Sequence, residues 1–101
     1  MGNVSFIAGD VAEKIVDLRD KGIAPDVIVL DPPRAGCETS VLETAAAMGP
    51  RRIVYVSCNP ATLARDLAIL AELGYVTQAV QPVDMFPQTY HVECIAVIER
   101  K

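Results

Sequence analysis

Cys58 stands between an apolar, β-branched run, Ile53-Val54-Tyr55-Val56, and a segment that opens with Asn59-Pro60. Asn is a favoured helix N-cap and Pro a favoured first helical residue, so the thiol falls one residue ahead of a helix. Free amide groups and the helix dipole at such a junction stabilise an anion, which lowers a thiol pKa towards a reactive thiolate. A free cysteine is ordinarily a small buried hydrophobe, and the junction weighs against that role here. Cys37, after a glycine in a loop, and Cys94, within an apolar strand, are read as structural or incidental.

Glu93 interrupts the apolar run Val92-Glu93-Cys94-Ile95-Ala96-Val97-Ile98, and alternation puts His91, Glu93 and Ile95 on one side of a strand. A carboxylate in a strand usually faces solvent, but a side shared with Ile95 and Val97 predicts partial burial, which raises a carboxyl pKa and suits a general base. His91 is a pH-sensitive partner or, more commonly for one histidine, a structural hydrogen-bonder. Asp10 and Asp31 each follow an apolar strand. Each either caps its loop or holds a cofactor or substrate group, and in open α/β sheets that strand end is where ligands bind.

The elements that must position these groups alternate short β-branched runs with helical periods, the pattern of a parallel or mixed sheet covered by helices. Five strands are expected, at Val4 to Ala8, Val27 to Leu30, Ile53 to Val56, Tyr75 to Val83 and Val92 to Ile98. The second is apolar throughout and is expected to be buried on both faces. Val11, Ile15 and Leu18 predict a first helix ending at Lys21-Gly22, Thr39 or Ser40 is expected to cap a second through Ala47, and Leu63, Leu67 and Leu70 mark one face of a third that Gly74 ends. Asp31-Pro32-Pro33-Arg34-Ala35-Gly36 must be irregular, because consecutive prolines lack ladder N–H groups. The last two strands are too close for a crossover helix and are expected to pair antiparallel.

The chain has 101 residues, 51% of them hydrophobic, with nine Lys plus Arg against thirteen Asp plus Glu, which excludes disorder. No apolar run approaches the roughly 18 to 20 residues of a membrane span, and the start lacks the pattern of a secretory signal. A formal charge of −4 argues against this chain being the electrostatic platform for a nucleic acid. Three widely spaced cysteines fit neither a disulfide framework nor a zinc site, so no metal and a reducing cytoplasm are expected.

Asp31-Pro32-Pro33-Arg34-Ala35-Gly36, Ile53 through Ser57-Cys58-Asn59-Pro60-Ala61-Thr62, and Val83-Asp84-Met85-Phe86-Pro87-Gln88-Thr89-Tyr90-His91-Val92-Glu93, in this order, resemble the RNA 5-methyluridine methyltransferases acting on tRNA and 23S rRNA. The likeness runs from Gly9-Asp10 to the last strand and corresponds to the C-terminal part of the family's catalytic domain, which implies a partial Rossmann-like α/β fold with a mixed sheet and a C-terminal antiparallel hairpin. It implies S-adenosylmethionine as methyl donor and C5 of a uridine in RNA as acceptor, with 23S rRNA favoured over tRNA. On the matched positions Cys58 would be the nucleophile and Glu93 the proton acceptor, with Asp31 and Asp10 in the cofactor site. Phe86, Gln88 and Tyr90 are the residues expected to contact a uridine swung out of its stack. A non-catalytic α/β interaction module and a nucleotide-binding module using helix N-termini are the alternatives.

Relative to that family, the 101 residues hold no counterpart of the first two strands, the glycine-rich cofactor turn, an RNA-binding domain or an iron–sulfur cysteine cluster. In the family's sheet the missing strands lie between the first two strands of this chain, so an apolar edge must be covered. Either the first strand moves in to pair with the second or two chains associate. The 101-residue chain alone is expected neither to bind S-adenosylmethionine tightly nor to methylate RNA. Titration calorimetry checks this, and micromolar cofactor binding would refute it.

Overall fold

The computed structural model describes residues 4–8, 11–22, 25–32, 36–57, 59–83 and 93–101. The elements run β1 (Val4–Ala8), α1 (Val11–Asp20), β2 (Val27–Asp31), α2 (Thr39–Ala47), β3 (Arg52–Ser57), α3 (Pro60–Glu72), β4 (Tyr75–Val83) and β5 (Glu93–Arg100). They form one sheet in the order β1-β2-β3-β5-β4. The first three strands are parallel, and β5 runs antiparallel to both neighbours, as the short β4–β5 connection predicts.

β1 pairs directly with β2, from Val4 against Val27 to Ala8 against Asp31. Of the two ways to cover the edge of β2, the chain therefore uses its own first strand. Each crossover from one parallel strand to the next proceeds in the same direction across the sheet, and right-handed crossovers then put α1, α2 and α3 on a single face. The core lies under that face. Ile15, Val41, Leu42, Ala45, Leu63 and Leu70 from the helices pack with Ile28, Leu30, Ile53, Tyr55, Ala96 and Ile98 from the strands.

This one-sided cover corrects two expectations for β2 and α2. In β2 only Ile28 and Leu30 are buried, while Val27 and Val29 are half-buried, because no described helix covers the second face. The N-cap of α2 is Glu38, whose side chain makes no capping bond, and Thr39 is already helical. The backbone of Glu38 serves instead, its carbonyl accepting from the N–H groups of Val41 and Leu42. Asn59 does cap α3 as expected: its side-chain oxygen accepts from Ala61 N at 3.1 Å, with Pro60 next. Gly74, at φ +95°, ends the same helix in the left-handed region.

β4 is an edge strand, exposed from Val76 to Pro82. Its register slips between Thr77 and Ala79, and Pro82 offers no N–H, two features that hinder pairing with another chain. Tyr75 anchors its start by donating to the buried carbonyl of Pro50 at 2.7 Å. Among the described residues no helix is long and apolar enough to cross a membrane.

Since Asn59 satisfies an otherwise unpaired N–H in the first turn of α3, Asn59→Ala is expected to cost about 1 kcal/mol of stability. Urea unfolding with an unchanged m value checks this; an unchanged midpoint would show that the cap contributes nothing.

Candidate functional site

The parallel strands end along one edge, and β5, running the other way, begins there. Leu30 is level with Tyr55, and Ser57 is level with Cys94. Alternation along β2 and β5 puts Asp31 and Glu93 on the face opposite the helices, together with Val56 and Ile95. Both carboxylates are half-buried. One strand, β3, separates their strands, so two interstrand spacings, about 10 Å, lie between them across the sheet. Asp31 has no hydrogen-bonding side-chain partner among the described residues and stands at the end of its strand as an available acceptor.

Of the other residues singled out in the sequence, Asp10, Cys58, Phe86, Gln88, Tyr90 and His91 lie outside the described residues. Their immediate neighbours are described. Asp10 comes two residues after Ala8, which is level with Asp31. Cys58 is bonded to Ser57, and Glu93 to the residue level with Ser57. The register thus brings the residue before Cys58 opposite the residue after Glu93, with Cα atoms of facing antiparallel residues about 4.5 to 5.5 Å apart.

Two polar residues that sequence reasoning passed over build the frame of this edge. Tyr and Cys aside, Ser57 and Asp66 are the buried polar or charged residues among those described. Ser57 Oγ accepts from Asn59 N at 3.0 Å and donates to Asn59 O at 2.9 Å, so one hydroxyl straddles position 58 and fixes the entry to α3. Thr62 Oγ1 donates to the same carbonyl at 3.1 Å.

Asp66, on the buried side of α3, has no exposed surface. Its Oδ2 accepts from Cys37 N at 2.9 Å and from the Tyr55 hydroxyl, and its Oδ1 accepts from Arg65 Nε at 3.0 Å. Arg65 Nη2 also donates to Cys37 O at 3.1 Å, so both backbone groups of Cys37 are held by α3. Gly36 makes the approach possible. Its φ is +83°, and a Cβ there would stand 2.8 Å from Arg65 Nη2 and 2.9 Å from Asp66 Oδ2.

This surrounding explains the character of Cys37. Burial first, and then the Asp66 carboxylate, push its thiol up to about 12. Burial and its bond to Asp66 also hold the Tyr55 hydroxyl well above the usual phenol range. Cys37 is thus an inert core thiol. At pH 8 its shift from 9.0 leaves roughly a thousandfold less thiolate than in an unfolded chain, so iodoacetamide is expected to modify it far more slowly in native than in urea-unfolded protein. Equal rates by intact mass would contradict this. A raised folded pKa also fixes the sign of the pH dependence: stability is intact below pH 9 and falls as pH rises from 9 towards 12, while the unfolded thiol alone ionises.

Comparison with known proteins places these features in a family. A family model described as tRNA (Uracil-5-)-methyltransferase matches residues 12–101. An uncharacterized RNA methyltransferase of Geobacter sulfurreducens is 64% identical over 99 residues, which are 98% of this chain and 20% of that protein. One from Clostridium tetani is 62% identical over 96 residues, 95% of this chain and 21% of that protein. The chain therefore spans about a fifth of the length of these relatives. Among solved structures, the Pyrococcus abyssi tRNA (uracil-54, C5)-methyltransferase, in complex with S-adenosyl-L-homocysteine, superposes with a TM-score of 0.67 and 28% identity, covering 94% of this chain and 28% of that one. The mixed sheet with its three helices is thus a methyltransferase fold, and the chain belongs to the tRNA (uracil-5-)-methyltransferase family.

Proposed function

We propose that the protein to which this chain belongs transfers a methyl group from S-adenosylmethionine to C5 of a uridine in RNA, with Cys58 as nucleophile and Glu93 as base. The observation that carries this reading is the β3–β5 register, Ser57 against Cys94, which draws the chain positions of nucleophile and base to one edge of the sheet. Ser57 supports it further, because its two bonds to Asn59 tie together the residues on either side of position 58.

Uracil C5 is a weak nucleophile, and covalent addition divides the difficult step into easier ones. The Cys58 thiolate bonds to C6, and the C5–C6 π pair moves onto the ring as an enolate. S-adenosylmethionine, when bound, supplies the electrophilic methyl that C5 takes. Glu93 then accepts the C5 proton, the electron pair restores the C5–C6 double bond, and the bond from C6 to Cys58 breaks to release the thiolate. The methyl enters one side of the ring and leaves the C5 proton on the other, so base and cofactor must reach the ring from opposite sides, and the roughly 10 Å between the strands of Glu93 and Asp31 leaves room for the ring between them.

Asp31 fits a role in holding the cofactor. It is a half-buried acceptor at the C-terminal end of a parallel strand, unsatisfied by any described side chain, and suits a hydroxyl or ammonium donor. Asp10 is proposed beside it from the pairing of Ala8 with Asp31. Phe86, Gln88 and Tyr90 are proposed to contact the target base, by their place in sequence between β4 and β5. For the RNA class, the sequence reading favours 23S rRNA while the family description names tRNA. Methyl transfer to each RNA by the same protein decides between them.

In the full-length protein, Glu93→Gln is expected to lower multiple turnover by roughly 10²- to 10⁴-fold while a denaturant-resistant protein–RNA complex accumulates, because elimination stalls after methyl transfer. Turnover at the wild-type rate would remove Glu93 from the mechanism, and loss of turnover without the complex would place its role before the adduct.

A further inference from the structure

Asp66 is used by no step above, yet it is a carboxylate with no exposed surface, and its three hydrogen-bonding partners are not spread at random. Cys37 belongs to the segment that leaves β2 after Asp31. Tyr55 belongs to β3, two residues before Ser57. Asp66 itself belongs to the helix that opens immediately after Cys58. Its carboxylate therefore joins the strand end that carries the cofactor-side acid to the helix that follows the nucleophile.

Stability alone is a poor reason for such a group. A buried ion pair often contributes no more than a well-packed apolar residue of similar volume, and Asp66 lies in the stripe of Leu63, Leu67 and Leu70, where a leucine would suit the core. What the carboxylate adds is direction. Its Oδ2 fixes the Cys37 amide and the Tyr55 hydroxyl at one point, and Oδ1 aims Arg65 at the Cys37 carbonyl. Gly36, with a close approach that only a residue lacking Cβ allows, lets the segment come within reach.

We propose that Asp66 is a positioning residue for methyl transfer: it clamps the Gly36–Cys37 segment to α3 and so sets the distance between the cofactor at Asp31 and the nucleophile at Cys58. The proposal rests on the function assigned above. It concerns the chemical step and not the affinity for either substrate, since the clamp touches neither Asp31 nor Glu93.

The test uses full-length protein and three measurements: iodoacetamide modification of Cys37 by peptide mass, kcat, and KM for S-adenosylmethionine and RNA. Asp66→Leu keeps the apolar volume and removes the clamp. It is expected to speed modification of Cys37 and lower kcat roughly 10- to 100-fold with both KM values within about threefold, the size of effect that misplaced reacting groups produce. Asp66→Asn keeps an oxygen for Cys37 N and the Tyr55 hydroxyl, and is expected to restore kcat to within about threefold of wild type, a rescue that loss of a general fold contribution would not select. If Asp66→Leu does not fold, Tyr55→Phe loosens the same oxygen while preserving packing, and is expected to lower kcat about fivefold at unchanged KM. An unchanged kcat in a folded Asp66→Leu protein, or in Tyr55→Phe where that is the variant tested, overturns the proposal, as does a fall explained by KM alone. Wild-type protein that methylates no RNA overturns the parent reading and the proposal with it. Wild-type activity combined with a Cys37 that Asp66→Leu leaves protected overturns the clamp alone.

Discussion

A carboxylate cannot lose its water without replacement donors, and at Asp66 the replacements come from three separate parts of the chain. The cost of burying that charge is offset only while the segment after β2, strand β3 and helix α3 hold their positions together. Local structure is thereby made to depend on the whole. The segment carrying Gly36 has no ladder of its own, and consecutive prolines upstream deny it one. It takes its place from α3, through the two backbone groups of Cys37 that Asp66 and Arg65 occupy.

The second constraint is the reversal of β5. A sheet of parallel strands gathers its strand ends, and the loops that follow them, along one edge. Because β5 is antiparallel, its first residues arrive at that edge while its last, Ile98 and Glu99, return to the level of Ile53 and Arg52. A residue at the beginning of β5 can thus join residues at the ends of β2 and β3, which another parallel-type crossover would not achieve without further chain. All three helices occupy the other face. Asp31 and Glu93 are left on a half-open surface with valine and isoleucine around them, where an ionisable group is partly desolvated and still reachable.

Much of this was legible in the sequence because the signals were local. Alternation and β-branching found every strand, Asn59-Pro60 marked the start of α3 and Gly74 its end. The pairing of β1 with β2 was one of two outcomes left open, since an edge is covered by whichever strand reaches it. Two-sided burial of β2 was an error of inference: a continuous apolar run is compatible with one covered face, and only the direction of the crossovers shows that the helices share it. The cap of α2 was misassigned because Thr39, Ser40 and Glu38 compete at neighbouring positions, and a backbone carbonyl took the role. Asp66 was missed despite a visible signal. It stands three residues after Leu63 and four before Leu70, where helical spacing puts a charge into an apolar stripe, and such a charge needs partners that periodicity cannot name. Ser57, just past the strand expected to end at Val56, was likewise passed over, although its hydroxyl brackets position 58.

The central claim is that Cys58 forms a covalent bond to the target base. The most direct measurement incubates the full-length protein with S-adenosylmethionine and RNA carrying 5-fluorouridine, in which the C5 substituent cannot leave as a proton, and then maps the cross-linked peptide by mass spectrometry. The account predicts a nucleotide adduct on the peptide containing Cys58, with Cys37 and Cys94 unmodified. A stable adduct on either of those cysteines, or methylation of ordinary RNA by protein that forms no adduct with the fluorinated one, would contradict it.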